Sequence, residues 1–167
     1  GTPNLSTDQA FTITVGAAAN PAPVLDLNGP AAGIDFAATF TEGGGAIAIV
    51  DPSNLTVIDP DSLNLASATV TLINPLDAGQ ETLAVSAATV APSTPITATF
   101  NAATGALTLT GAATLAQYQA ALRTVTYNNS AAAPTATPAR VVTFAVSDGS
   151  NTSAVATATV TLTGVND

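Results

Sequence analysis

The chain contains no cysteine, histidine, lysine, methionine or tryptophan, and its only basic side chains are Arg123 and Arg140. Each absence closes a class of function. Without cysteine no disulfide braces the fold, and no thiolate is available to soft metals. Without histidine there is no imidazole base, so a histidine-based nucleophilic triad cannot be built. Paired carboxylates could in principle cleave glycosides, but sugar clefts need aromatic walls, and five Phe and two Tyr are all the chain offers. An enzyme is therefore not expected. Eleven acids against two arginines leave a formal charge of −9, with no basic footprint for phosphates. Nucleic acid and anionic membrane surfaces are excluded as expected partners. No run reaches the roughly 18 uninterrupted apolar residues of a membrane-spanning helix, and no signal-peptide pattern opens the chain. The polypeptide is expected to be soluble without membrane insertion, any anchor or export signal lying outside it.

What remains is Thr- and Ala-rich and strongly patterned. Apolar residues make up 47% of the 167, mostly aliphatic, which predicts a thin core spread over two facing sheets. Short alternating runs bounded by Gly, Pro, Asn and Asp predict strands at Ala10–Val15, Val24–Leu27, Asp35–Thr41, Ala46–Val50, Asn64–Ile73 and Glu81–Ser86. Further runs are Ile96–Phe100 paired with Ala106–Thr110 across Asn101–Gly105, then Arg123–Asn128, Arg140–Ser147 and Ala154–Thr163. Thr114 with Gln117 has capping-box spacing, and Leu115, Tyr118 and Leu122 recur at helical intervals, so one short crossover helix is expected. The fold class is all-β, an antiparallel Greek-key β-sandwich.

The chain also resembles itself. Displaced by 147 positions, Asn151, Ser153, Thr159, Val160, Thr161 and Leu162 fall on Asn4, Ser6, Thr12, Ile13, Thr14 and Val15 without a gap. The register carries Val165-Asn166-Asp167 onto Ala18-Ala19-Asn20, and Asn20 opens a Pro21-Ala22-Pro23 linker. Residues 1–19 thus read as the terminal strand of a preceding repeat or a donated strand, and residues 20–167 as one whole repeat of a tandem array. Arrays of this kind usually serve as spacers or binding stalks.

In a chain so poor in charge, the acids gather in few places: Glu42 beside three glycines, Asp59-Pro60-Asp61 followed by Asn64, Asp148-Gly149, and Asn166-Asp167. Hard cations take six to eight oxygens of these types. Asp-Gly and Asp-Pro are equally ordinary turn formers, so any one of these residues is as well explained by a turn as by a metal. Together they point to Ca²⁺.

Thr41-Glu42-Gly43-Gly44, Val57-Ile58-Asp59-Pro60-Asp61-Ser62, Gly105–Leu109, Tyr118–Tyr127, Phe144–Gly149 and Gly164–Asp167, in that order, resemble the cadherin-like, immunoglobulin-like repeats of giant bacterial surface proteins and adhesins. The likeness covers nearly all of residues 21–167. It implies calcium held at junctions between successive domains, with Glu42, Asp59, Asp61, Asp148, Asn166 and Asp167 as ligands. The chain departs from animal cadherins in offering only Leu122-Arg123-Thr124 where they carry an acidic motif, and in its shorter acidic linker. With Asn20-Pro21 where the rear linker has an acid, the front junction is expected to bind calcium less well.

The leading expectation is a calcium-stabilised extracellular repeat, an extender or stalk of a bacterial adhesin or surface filament, partnered by neighbouring repeats or identical subunits through strand addition by Ala10–Val15. A glycan- or protein-binding module is the alternative, as is a self-assembling filament subunit joined by strand donation. Alternating threonines, as at Thr97/Thr99 and Thr157 to Thr163, also raise ice binding, but they are equally the ordinary outer face of an antiparallel strand.

Overall fold

Alternation decides which side chains go inward. Arg140–Ser147 alternates buried and half-buried along its whole length, and Ala156–Thr163 buries Ala156, Ala158, Val160 and Leu162 while turning its threonines out. The computed structural model describes residues 12–13, 16 and 19–165. Its strands are β1 (Val24–Asp26), β2 (Phe36–Thr41), β3 (Ile47–Ala48), β4 (Thr56–Ile58), β5 (Asn64–Leu72), β6 (Glu81–Ala84), β7 (Thr97–Asn101) and β8 (Ala106–Thr114). The helix α1 (Leu115–Leu122), β9 (Thr126–Asn129), β10 (Arg140–Ser147) and β11 (Ala156–Thr163) follow.

Six strands form one sheet in the order β2-β11-β10-β5-β8-β7, faced by β3-β9-β6, with β1 and β4 paired separately. The fold is an all-β sandwich. One pair departs from the expected antiparallel arrangement, because β2 runs parallel to β11, with Phe36 beside Ala158 and Thr41 beside Thr163. Parallel neighbours need a long crossover, and here almost the whole domain lies between them. The consequence is that the first long strand and the last both run towards the end where the chain leaves.

The inner faces hold Phe40, Leu65, Val70, Leu72, Leu107, Leu109, Val142, Phe144 and Val160, all buried. Phe40 meets Tyr127 edge-on, ring centroids 5.5 Å apart, a geometry the ring quadrupoles favour. The outer face of the six-stranded sheet carries no charge along its central rows: Thr99, Thr108 and Thr69 stand side by side across β7, β8 and β5. Neighbouring strands rotate by roughly 20–25°, so these hydroxyls follow a twisted surface, and the ordinary outer-face explanation suffices.

The crossover helix forms as expected. Thr114 accepts from the Gln117 N–H at 3.2 Å while the Gln117 side chain accepts from the Thr114 N–H at 3.0 Å, closing a capping box. Tyr118, Ala121 and Leu122 face the core. The hairpin between β7 and β8 turns at Gly105, whose φ is 67° and where a Cβ would lie 2.5 Å from the Leu72 carbonyl oxygen. Only glycine fits both the left-handed backbone and the close approach. The expected strand Ala10–Val15 lies largely outside the described residues, and Ile13 within it is 73% exposed.

Candidate functional site

Strand direction distributes the acids between two ends. At the end where the linker enters, Asp59 follows β4 and its Oδ1 accepts from the N–H groups of Asp61 at 3.2 Å and Ser62 at 3.1 Å, an Asx turn folded around Pro60. Ser62 in turn donates to the Asn64 carbonyl at 2.7 Å, ordering the loop into β5. Asp148 leaves β10 at the same end, its Oδ1 accepting from Ser150 N at 2.6 Å and Asn151 N at 2.7 Å. Asn151 fastens the incoming linker by donating to the backbone oxygen and Oδ1 of Asn20, at 2.7 and 2.9 Å.

The Asp59–Asp61 pair is electrostatically unsettled. Asp59 Oδ2 is shielded from solvent and has no hydrogen-bond partner. Burial, the adjoining Asp59 carboxylate and the charges of Asp59 and Asp148 together hold the Asp61 carboxyl above its ordinary range. For Asp59 burial works the same way, but the N–H groups of Asp61 and Ser62 and the Asp61 carboxyl outweigh it and hold Asp59 below its range. Two carboxylates held this close disfavour both being charged at once.

Glu42 stands at the other end, roughly 20 Å away by the length of a six-residue strand. Its N–H donates to Thr163 O at 3.0 Å and its Oε2 accepts from Val165 N at 2.9 Å. The carboxylate thus clamps the start of the outgoing linker. Asn166 and Asp167 lie outside the described residues. The six expected ligands therefore do not converge within one domain: Asp59, Asp61 and Asp148 share the entrance end and Glu42 occupies the exit end. Among the described residues no three acidic side chains enclose a metal position. A cation at this end would neutralise the Asp59–Asp61 pair, with the Asp148 charge acting on Asp61 from nearby.

A second polar cluster carries no obvious sequence signal. Arg140, expected only as the start of a strand, is fully buried, with Nε paired to Glu81 Oε1 and Nη2 to Asp77 Oδ2 at 2.7 Å. Nη1 donates to the carbonyls of Thr135 and Pro138. Tyr127 donates to Glu81 Oε1 at 2.7 Å, and Glu81 Oε2 accepts from the N–H groups of Leu76 and Asp77. Burial and Glu81 push the Tyr127 hydroxyl up. Burial opposes ionisation of Asp77, but Thr135, Asn129 and Arg140 hold it below the ordinary range. Asp77 is one vertex of this network. The side-chain partners of Asp77 lie 52 to 63 residues away in sequence, which is why spacing could not reveal them.

Both tyrosines are buried, and Tyr118 donates to the Gly111 carbonyl at 2.8 Å. Neither presents a ring for stacking on sugar. No described helix is long and apolar enough to cross a membrane.

No protein-family model matches the chain. Halomucin of Haloquadratum walsbyi is 42% identical over 114 residues, which cover 68% of this chain; the chain spans about 1% of that protein's length. Among solved structures, the third cohesin of ScaC from Acetivibrio cellulolyticus, in complex with the ScaB dockerin, aligns with 83% of this chain and 99% of its own, at 13% identity and a TM-score of 0.45.

Proposed function

We propose that the domain is a structural unit of a long extracellular or surface-exposed repeat protein, joined end to end with units like itself and stiffened at the junctions by Ca²⁺. The observation that carries this is the partition of the acids. Asp59, Asp61 and Asp148 crowd the entrance end, and Glu42 and the outgoing linker occupy the exit end. Two such ends brought together concentrate negative charge that a divalent cation neutralises, and neither end alone completes a coordination shell of six to eight oxygens. Calcium bridging the two would fix the angle between units and stabilise each fold, since binding to the native state shifts the folding equilibrium. The 147-residue offset and the small fraction of halomucin spanned both suit a unit within a very long chain. No chemistry beyond charge neutralisation is required of the metal.

Calcium titration calorimetry on two copies joined in register, residue 167 of the first followed by residue 21 of the second, with Asp61→Asn or Asp35→Asn in the second copy, tests the assignment. Asp35 accepts from Thr157 N at 2.7 Å, a contact the amide preserves, so Asp35→Asn should bind as the parent does. Asp61→Asn should lose most of the affinity. Equal affinities in the two variants would remove Asp61 from the site and the proposal with it.

A further inference from the structure

We infer that a cleft at the exit end is the seat for the entrance end of the following unit, which packs Leu63 against Ala131, Ala132 and Val165; this rests on the reading of the chain as one unit of an end-to-end array. The cleft measures about 520 Å³ and lies between Glu42 and Asn129, with Val165 forming part of its wall. Its shape is set before any partner arrives. Glu42 holds the backbone of Val165, and Asn129 is fixed by its donation to Asp77 at 2.7 Å and by accepting from Ala131 N at 2.9 Å.

Chain length decides what can reach it. The 147-residue offset places Val165 on Ala18, and β1 begins at Val24, six residues later. Six residues span at most about 20–22 Å when fully extended, so the following sandwich begins beside the cleft. Its entrance end is therefore confined to the neighbourhood of the preceding exit end. The entrance end also carries the needed surface: Leu63 is 82% exposed, Ile58 57% and Val24 46%. Leu63 is no floppy tip, because its carbonyl accepts from Leu115 N at 3.1 Å at the start of α1. A rigid apolar knob loses little freedom on docking. Seating Leu63 brings Asp59 and Asp61, four and two residues earlier, towards the Glu42 end, where the two acidic ends need a cation between them.

The test joins two copies of the chain in register, residue 167 of the first followed by residue 21 of the second. Because the protein has no cysteine, Ala132→Cys in the first copy and Leu63→Cys in the second give one defined thiol pair, linked with a short bismaleimide in calcium. Cross-linking should run several-fold faster than for Ala132→Cys paired with Thr99→Cys, an exposed position in mid-strand on β7. Equal rates would overturn the seat. As a second measurement, Leu63→Asp in the second copy should lower the tandem's melting midpoint, whereas Leu63→Asp in the first copy, whose entrance end has no partner, should not. Equal midpoints would likewise overturn it. A calcium-dependent rise in midpoint without preferential cross-linking would leave the array reading standing and the seat wrong; preferential cross-linking without a calcium effect would support the seat and refute the calcium junction.

Discussion

Replacing Arg140 with Met keeps the apolar stem and removes the one cation buried among Glu81, Asp77 and Tyr127. The Arg140 side chain is fully buried, and the Glu81 and Asp77 side chains are 2% and 10% exposed. Removing one partner of such a pair leaves charge uncompensated, at a cost of about 3–5 kcal/mol, whereas an exposed pair would cost about 0–1 kcal/mol. The carbonyls of Thr135 and Pro138 lose their donor as well. For a domain of this size each kcal/mol moves the midpoint by about 2–4 °C, so Arg140→Met should melt about 6–20 °C lower. Urea unfolding with unchanged slope would show that the loss is in the folded state. The deficit should depend on pH. In the parent, Asp77 has a folded pKa below its unfolded value, so its contribution is present at neutral pH and fades as pH falls through the acid range. In the variant Asp77 keeps its bonds from Thr135 and Asn129 but loses Arg140, so its folded pKa is less depressed and less of that contribution remains at neutral pH. The gap is therefore widest at neutral pH and narrows in acid. A neutral-pH cost under about 1 kcal/mol, the range of exposed pairs, or a gap that does not change with pH would refute the reasoning.

Gly105→Ala should destabilise by more than about 1 kcal/mol, since alanine meets both a positive φ and the Leu72 carbonyl; thermal melting checks it. Calcium affinity should rise with pH through the acid range, because Asp61 retains its proton above the ordinary carboxylate pKa and the metal must displace it. Calorimetric titrations at two acidic pH values and at neutrality should show proton release on binding, and an affinity independent of pH would contradict a proton retained on Asp61.

Much of the fold is legible in the sequence because it is encoded locally. Alternation marks β10 and β11 along their length and β5 apart from its irregularity near Leu65–Ser67, Asn101–Gly105 marks a hairpin, and Thr114 with Gln117 marks the start of α1. The short pieces blur. Arg123–Asn128 was too early a boundary because the helix cap runs through Arg123, and only Ile47–Ala48 of Ala46–Val50 pairs. The three residues of β4 are recognisable as a strand only through their partner β1. The parallel pairing of β2 with β11 and the Arg140 network join residues far apart in sequence, and no local pattern announces such contacts. The acidic motifs were visible one by one. Their division between two ends follows from strand direction, which composition does not carry.

The central claim is that calcium stabilises the junction between folded units, and scanning calorimetry of two copies joined in register, residue 167 of the first followed by residue 21 of the second, with and without chelator tests it most directly. Extracellular calcium modules bind at about 10⁻⁴–10⁻³ M. At about 10 mM calcium, up to roughly 100 times the dissociation constant, the gain is at most about 2.7 kcal/mol, or about 5–11 °C in midpoint at about 2–4 °C per kcal/mol. A rise of several degrees, abolished by Asp61→Asn, is the predicted result. An unchanged midpoint at that calcium concentration would contradict it.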